Sequence, residues 1–227
     1  MKRSRICISM AVVLVLLLVT VFIVSARGNA NPKILSPNSR VQGLTYGEWS
    51  AKWWQYVLSI PEPQNPLAGG TGNQCAYQRI GNVGLIAVDP LANEPIQCEV
   101  PNGMMLFLDI LSAECSTVEE PPFYGGNEEE MRDCALEFTF TDLQASIDGV
   151  AVKNLDRYIH TSPLFDFTLP DQNILYTDEL IGQSVSNGAH LILAPLSPGE
   201  HSAYLHATIP ELEFTVDMNI QFTVAQP

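Results

Sequence analysis

Basic side chains are scarce in this 227-residue chain once its first 30 residues are set aside. The remainder holds seven lysine and arginine residues against all 25 aspartate and glutamate residues, a formal net charge of −18. A surface this acidic repels phosphate backbones and anionic lipid headgroups. The composition therefore argues against nucleic acid as a partner and leaves membrane contact to the N-terminal segment alone. It favours a soluble surface, with cation binding as the alternative.

The common catalytic and nucleotide-binding motifs are missing as well. The chain contains no G-x-S-x-G elbow, no H-E-x-x-H pair, no P-loop and no G-x-G-x-x-G turn. It also lacks a C-x-x-C pair, which argues against a zinc site on its thiolates. We therefore expect no catalytic residue and no cofactor-binding residue.

Histidines are few, and only one of the four is placed for catalysis. His160 has Asp156 and Asp166 near it in sequence, and an imidazole beside carboxylates can act as a general base. A loop histidine with satisfied hydrogen bonds is the alternative that we favour. His201 and His206 are an odd number of residues apart, so on one strand they face opposite sides.

The N-terminus has the order of an export signal. Lys2, Arg3 and Arg5 precede a nearly unbroken apolar run over residues 6–24, and Ala26 and Ala30 offer cleavage points behind it. The run is also close to the length that spans a bilayer, so an uncleaved membrane anchor is the alternative. We predict that residues 1–30 are a signal peptide or anchor and that the rest of the chain is secreted or extracytoplasmic.

The cysteines of the exported part are even in number. Cys75, Cys98, Cys115 and Cys134 remain once Cys7 is excluded with the signal, and an even set in an exported domain predicts disulfides. Of the three possible pairings we prefer the sequential one, Cys75 with Cys98 and Cys115 with Cys134. Each of these bonds closes a modest loop that contains turn residues.

The stretch TYGEWSAKWWQYVLSIP, residues 45–61, predicts a helix. Thr45 and Glu48 have the spacing of a capping box, and Pro61 ends the helical pattern. Aromatic and aliphatic side chains cover most of the cylinder, with a polar stripe of Glu48, Lys52, Gln55 and Ser59. A membrane-surface helix would carry more basic residues on that stripe. We therefore expect a core helix, with a ligand platform or a partner interface as alternatives.

The chain beyond this helix predicts strands. Apolar and polar residues alternate without a break over residues 212–224, and Asp148-Gly149 lies between two apolar runs as a two-residue hairpin does. The turn at 197–200 predicts a further hairpin. We expect a linker at 31–42 and one β-rich domain at 43–227. Its predicted fold is an antiparallel β-sandwich, Ig-like or jelly-roll-like, with one packed aromatic helix.

Several of these stretches together resemble a family of exported bacterial and archaeal proteins for which no function is known. They are YGEWSAKWWQYVLSIP, a cysteine after a Gly-Asn loop, VPNGMMLFLDIL running into Glu114-Cys115-Ser116, and PLSPGEH. This chain has Tyr56 where the family's helix motif is expected to show a third tandem tryptophan. The resemblance implies export and paired cysteines, and it implies no reaction.

Acidic residues cluster in several places, and one cluster is the best metal candidate. Glu128, Glu129, Glu130 and Asp133 precede Cys134, in a segment that we expect to be a disulfide-tethered loop, and oxygen ligands on loops suit calcium. The alternative is a solvated acidic rim. The chain is thus predicted to be a binding or cell-envelope module for an envelope polysaccharide or protein, with a secreted hydrolase of extracellular polymer as the alternative.

Overall fold

The computed structural model describes residues 33–69 and 75–227, which form one compact unit. The predicted signal or anchor at 1–30 lies outside the described residues. The described part is mainly β, with two α-helices, α1 (Tyr46–Leu58) and α2 (Glu128–Glu137). Its strands are β1 (Cys75–Ile80), β2 (Val83–Val88), β3 (Ile96–Val100), β4 (Met105–Ser116), β5 (Thr141–Ile147), β6 (Val150–Ala151), β7 (Ile159–Thr161), β8 (Phe165–Thr168), β9 (Ile181–Leu193), β10 (Gly199–Ile209) and β11 (Phe214–Val224).

The strands form two sheets that share one hydrophobic core. The first sheet has the order β1-β2-β4-β9-β7, with β8 also paired to β9, and the second has the order β3-β11-β10-β5-β6. Two sheets around one core are compatible with a sandwich. The expectation of a purely antiparallel arrangement is wrong, because β2 pairs with β4 and β3 pairs with β11 in parallel. Strand β3 belongs to the second sheet, so the chain crosses over and returns to the first sheet in the same direction.

The hairpin expected around Ser197 is also absent from the described residues. Strand β9, before this turn, belongs to the first sheet, and β10, after it, belongs to the second. The turn therefore carries the chain between sheets. Strand β10 instead pairs with β11 on one side and with β5 on the other. The short turn Pro210–Leu212 and Glu213, in a left-handed conformation, join β10 to β11.

Two local predictions are confirmed. Asp148 and Gly149 both have positive φ and close the β5–β6 hairpin, as a two-residue turn requires. Along β11, Val216, Met218 and Ile220 are buried while the residues between them are exposed. Period-two burial places one face of the strand in the core.

Helix α1 is the predicted core helix. Thr45 accepts a hydrogen bond from the Glu48 N–H at 3.3 Å, and the Glu48 carboxylate accepts from the Thr45 N–H at 2.7 Å, which completes the capping box. Trp49 and Trp53 are buried and donate their indole N–H groups to backbone carbonyls, that of Trp53 reaching Ile86 in β2 at 2.7 Å. Buried indoles with paired N–H groups tie the helix to the strand beneath it.

The segment predicted to be a linker packs against the domain in its described part. The Leu35 N–H bonds to the carbonyl of Ile192 at 2.9 Å, and the Ala194 N–H bonds to that of Lys33 at 2.8 Å. Val41 is buried. Residues 33–42 are therefore part of the fold, because their backbone groups find partners at the end of β9.

Helix α2 was not predicted, since the sequence indicated only one helix, α1, and a loop at this position. Asn127 is its N-cap and accepts a hydrogen bond from the Glu130 N–H at 3.1 Å. The acidic run Glu128, Glu129 and Glu130 forms its first turn, where negative charge interacts favourably with the helix dipole. Met131 and Ala135 are buried and form the face of the helix that packs against the core.

Candidate functional site

Two adjoining cavities form a cleft beside helix α1. Their volumes are about 210 Å³ and about 230 Å³, and both are lined by Trp54, Leu67, Leu111, Ser112 and Phe214. These residues come from helix α1, the turn after it, strand β4 and strand β11. Because β4 and β11 belong to different sheets, the cleft lies where the two sheets and the helix meet. We call it the α1–β4 cleft.

The walls of the α1–β4 cleft are mostly apolar. Trp53, Ile86 and Met218 extend the first cavity, and Phe123 and Leu175 extend the second. Concave sites with apolar walls and a few polar groups are the usual form of small-molecule sites. The polar groups in these walls therefore decide what the cleft can hold.

Strand β4 supplies most of the polar groups because it contains a β-bulge. Asp109 pairs with His190 and Leu111 with Ala189, so Ile110 is an extra residue. A bulge changes which residues share a face. In keeping with this, Ser112 donates to the carboxylate of Asp109, three residues earlier, at 3.1 Å. Both of these residues line the cleft.

Glu114 lies at one end of the cleft, and its side chain is fully buried. The Ser184 hydroxyl contacts its Oε2 atom, whereas Oε1 receives no hydrogen bond from the described residues. Burial away from water, followed by the neighbouring Glu119 carboxyl, raises the pKa of Glu114 well above its usual range. Glu114 therefore keeps a proton at pH values where an exposed glutamate is ionised.

Glu119 forms the other half of this carboxyl pair. Its Oε2 atom accepts a hydrogen bond from Ser116 at 2.9 Å. Burial raises the pKa of Glu119, and this effect outweighs the lowering by the neighbouring Glu114 carboxyl and by the Ser116 hydroxyl. Two adjacent carboxyls, one buried and one half-buried, do not both ionise readily, since like charges repel strongly away from water. We infer that the two groups keep one proton, which lies on Glu114, and we call them the Glu114–Glu119 pair.

The indole N–H of Trp54 is an unpaired hydrogen-bond donor in the wall of the cleft. Trp54 is only 8 % exposed and lines both cavities, yet its indole Nε1–H finds no acceptor within the described residues. A buried donor that is left unpaired costs about 1–3 kcal/mol. A ligand with an acceptor group would remove this cost.

Two groupings resemble catalytic triads, and neither has the geometry of one. His190 Nδ1 is 2.8 Å from Asp109 Oδ1, but the two are too poorly aligned for a hydrogen bond. Ser112 contacts the same carboxylate, so the carboxylate lies between hydroxyl and imidazole. A serine nucleophile needs the imidazole in the middle. This arrangement therefore cannot activate Ser112.

Ser197, His201 and Asp148 have the required order but not the required hydrogen bond. His201 Nδ1 is 2.7 Å from Asp148, and Nε2 is 3.2 Å from the Ser197 hydroxyl and 2.9 Å from the Ser197 carbonyl oxygen. Partial burial lowers the pKa of His201, but its hydrogen bonds to Asp148 and Ser197 outweigh that effect and raise it overall. A raised pKa favours the charged ring, whose Nε2–H donates to the Ser197 carbonyl and has no lone pair for the hydroxyl proton.

The structure places His160 away from this cleft's lining and gives it structural partners. Its Nδ1 and Nε2 atoms are each 3.0 Å from a backbone carbonyl, those of Tyr158 and Pro37. The ring also stacks on Tyr46 with 5.0 Å between centroids. Burial lowers the pKa of His160. The expected partner Asp166 instead accepts a hydrogen bond from Gln183 at 2.9 Å.

The predicted calcium residues lie on helix α2 instead of a loop. Glu128 pairs with Arg132 at 2.7 Å, and Glu130 accepts from the Asn127 side chain at 2.7 Å and from the Gly126 N–H at 2.9 Å. In the part of the chain that the structure describes, no group of three or more metal-ligating side chains is positioned to hold an ion. The calcium hypothesis for Glu128, Glu129, Glu130 and Asp133 stays a prediction.

The cysteines pair as predicted from their order. Disulfides join Cys75 to Cys98 and Cys115 to Cys134. The first links β1 of one sheet to β3 of the other, and the second links β4 to helix α2. None of the helices in the described residues is long and apolar enough to span a bilayer.

The polar end of the cleft was missed by sequence reasoning. Glu114 interrupts the apolar run of β4, and a glutamate at such a position is a signal for a buried, partnered carboxyl. Its partner Glu119 is followed by Glu120, a pattern that is typical of a solvated acidic cluster. Comparison with protein-family models, with curated proteins and with solved structures finds no match for this chain.

Proposed function

We propose that this protein is an exported, disulfide-stabilised binding module that holds a small and mostly apolar molecule in the α1–β4 cleft. The observation that carries this proposal is the unpaired indole N–H of Trp54, a residue that lines both cavities. An apolar molecule with one hydroxyl or carbonyl group would fill the space and accept that hydrogen bond. Filling an apolar cleft and pairing a buried donor both favour binding.

Export is the second part of the proposal. Two disulfides are typical of proteins that mature in an oxidising, extracytoplasmic compartment. The N-terminal signal pattern and the resemblance to exported proteins agree with that setting. We also propose that the two sheets are the halves of a sandwich, with the cleft at the edge of their shared core. Binding of an envelope component is then the role that fits best.

A secreted hydrolase is the alternative, and it has less support. The Ser197–His201–Asp148 group has the right order, but Ser197 is exposed and its own carbonyl occupies Nε2. Carboxyl pairs also serve in glycoside hydrolases, where the two groups flank the scissile bond of the substrate. Glu114 and Glu119 instead lie together at one end of the cleft, close enough for the Glu119 carboxyl to raise the pKa of Glu114. We therefore favour binding over catalysis.

Nuclear magnetic resonance on the exported, oxidised protein tests the binding proposal. The chain contains three tryptophans, so its indole N–H region holds three signals, and Trp54→Phe identifies one of them. We expect 2-phenylethanol to shift the Trp54 signal in a saturable way and to leave the Trp49 signal in place. Trp49 is the internal control because its N–H already bonds to Val41.

Two matched variants locate the site. Leu67→Trp should fill the cleft and abolish the shift, whereas Leu91→Trp adds the same side chain at a position that is 61 % exposed and should not affect it. Failure of 2-phenylethanol and of related aromatic alcohols, amines and acids to shift the Trp54 signal would overturn the proposal. So would binding that persists unchanged in a folded Leu67→Trp protein.

A further inference from the structure

The Glu114–Glu119 pair, in which Glu114 is buried and Glu119 half-buried, has no cationic partner among the described residues. The groups that act on these two carboxyls are each other and the hydroxyls of Ser116 and Ser184, and no lysine or arginine of the described residues is among them. Buried carboxylates are normally paired with a cation or hydrogen-bonded to several donors. The pair avoids a second negative charge by holding a proton.

The hydrogen bonds around Ser184 agree with a proton on Glu114. The Ser184 hydroxyl lies against Glu114 Oε2 and also 3.0 Å from the carbonyl oxygen of Cys115. A hydroxyl has one proton to donate. If Ser184 donates to the carbonyl, its oxygen accepts from Glu114, which must then be protonated.

An independent observation shows that this arrangement is incomplete. Glu114 is 4 % exposed, and its Oε1 atom has no hydrogen-bond donor among the described residues. Both glutamates line the second cavity, whose remaining walls include the aromatic rings of Trp54, Phe123 and Phe214. Donor-poor carboxyls beside aromatic faces are complementary to a positively charged, hydrogen-donating group.

We propose that the ligand of the α1–β4 cleft carries a primary or secondary ammonium group, which binds beside Glu114 and Glu119 and displaces the one proton that the pair keeps. This inference rests on the proposed function and adds the ligand's chemical class. Before binding, the pair carries one proton and one negative charge. After binding, both carboxyls are ionised, the ammonium donates to them, and the displaced proton passes to the buffer.

The size of the cavity limits the body of the ligand. A dry cavity of about 150 Å³ accepts benzene. The second cavity, at about 230 Å³, is larger by a few heavy atoms. One aromatic ring or a short alkyl chain with a terminal amine therefore fits, and 2-phenylethylamine is a suitable probe. Its matched neutral analogue is 2-phenylethanol, and 3-phenylpropionate supplies the opposite charge.

Isothermal titration calorimetry in two buffers of different ionisation enthalpy, at one neutral pH, tests this proposal on the oxidised protein. We expect 2-phenylethylamine to bind at least about tenfold more tightly than 2-phenylethanol, with 3-phenylpropionate weakest. The difference in binding enthalpy between the two buffers should correspond to release of about one proton for each amine bound. The alcohol should release none.

Glu119→Gln and Glu120→Gln form the matched pair of variants. Both remove one negative charge from neighbouring positions, but Glu120 is exposed and does not line the cleft. Glu119→Gln should weaken amine binding by about tenfold or more and abolish proton release, while binding of the alcohol changes little. Glu120→Gln should behave as the wild type, which separates the pair from the general attraction of an acidic surface for cations.

The outcomes distinguish this inference from the proposed function. If none of the three probes binds, the proposed function fails and the inference fails with it. If the alcohol binds as tightly as the amine, or if amine binding releases no proton, the inference is overturned and the binding function stands. Equal weakening by Glu119→Gln and Glu120→Gln would also overturn it, because the amine would then be held by surface charge alone.

Discussion

The carboxyl of Glu114 and the hydroxyl of Ser184 are in direct contact across strands β4 and β9. Ser184 lies opposite Ser116 in the register, so it reaches Glu114 diagonally. Diagonal cross-strand contacts of this kind connect long side chains on one face of a sheet. Strand β9, which holds Ser184, also packs against helix α1, so Glu114 contacts the strand on which the helix rests.

Glu114→Gln should remove a pH-dependent loss of stability. The pKa of Glu114 is raised in the folded protein, so as pH rises above the ordinary glutamate value of about 4.3 the unfolded chain releases its proton first. Stability then falls with increasing pH until the folded group ionises as well. Each unit of difference between the two pKa values corresponds to about 1.4 kcal/mol. Glutamine has a similar shape and cannot ionise.

Urea unfolding at about pH 4, 6 and 8 measures this effect. The free energy of unfolding of Glu114→Gln relative to wild type should increase from the lowest pH to the highest. Glu120→Gln, at an exposed position, serves as the control and should show no such trend. A constant difference between Glu114→Gln and wild type would mean that Glu114 titrates normally.

Asp148→Asn should weaken the turn between the sheets at low pH only. Asp148 holds both the His201 ring, at 2.7 Å, and the Ser202 N–H, at 2.9 Å. Asparagine tolerates the left-handed backbone at position 148, so the hairpin should persist. Because the folded pKa of His201 is raised, the contribution of this pair is complete below about pH 6.5 and disappears as pH rises through the folded value.

The expected loss at low pH is within about 1 kcal/mol, as for other solvent-accessible ion pairs. Thermal melts of wild type and Asp148→Asn across this range should converge at high pH. Ring-proton titration of His201 by nuclear magnetic resonance should give a lower pKa in the variant. A pKa that does not change would show that Asp148 does not stabilise the charged ring.

Loss of the Cys115–Cys134 disulfide should be costly and should reach the cleft. The bond spans 19 residues, for which the loop-entropy treatment gives about 3 kcal/mol. Cys115 follows Glu114 directly in β4, and Cys134 belongs to α2. The double variant Cys115→Ser/Cys134→Ser should therefore unfold at a lower urea concentration and bind probes in the cleft more weakly.

Non-reduced peptide mapping of the wild type should recover only the two sequential pairs, and a Cys98–Cys115 peptide would contradict them.

Local patterns made parts of this fold predictable. The capping box around Thr45 and the alternation along β11 involve residues close in sequence, and each pattern specifies its own structure. Asn127 and Glu130 carried a similar start signal for α2, at the spacing of an N-cap and its third helical residue. The three consecutive glutamates of the same segment are also typical of a solvated loop, so its composition and its start signal predict different structures.

Other parts depend on contacts between distant residues, which sequence patterns do not contain. The turn at Ser197 has the same chemistry whether the flanking strands pair or separate, and the pairing partners of β9 and β10 decide the outcome. The Glu114–Glu119 pair shows the same limit. Its unusual protonation arises from burial by other elements, whereas Glu119 beside Glu120 has the pattern of a solvated cluster.

A matched pair of substitutions in β11 tests which face is buried. Ile220 is 1 % exposed, and the adjacent Asn219 is exposed. Ile220→Ser removes a buried side chain and leaves a hydroxyl in the core, at a cost of about 3 kcal/mol or more. Asn219→Ser should change the free energy of unfolding by less than about 0.5 kcal/mol. Urea unfolding compares the two, and equal effects would contradict the assigned register.

The acidic first turn of helix α2 permits a test of the calcium hypothesis for Glu128, Glu129, Glu130 and Asp133. Extracellular calcium modules bind at about 10⁻⁴–10⁻³ M, and a ligand at about 100 times its dissociation constant stabilises the native state by about 2.7 kcal/mol. For a chain of this size the melting temperature should rise by roughly 5–10 °C. Magnesium at the same concentration controls for screening of the surface charge and should have a much smaller effect.

The contacts within this turn set the expected response of two variants. Glu128 is paired with Arg132, and Glu130 accepts a hydrogen bond from the Gly126 N–H at the start of the helix. Calcium must therefore compete with both interactions. Arg132→Gln frees the Glu128 carboxylate and should increase the calcium-induced shift if these residues form a site. Glu129→Gln removes a ligand and should decrease it. Equal shifts with calcium and magnesium, or shifts that neither variant changes, would show that the acids only solvate the surface and contribute to the helix dipole.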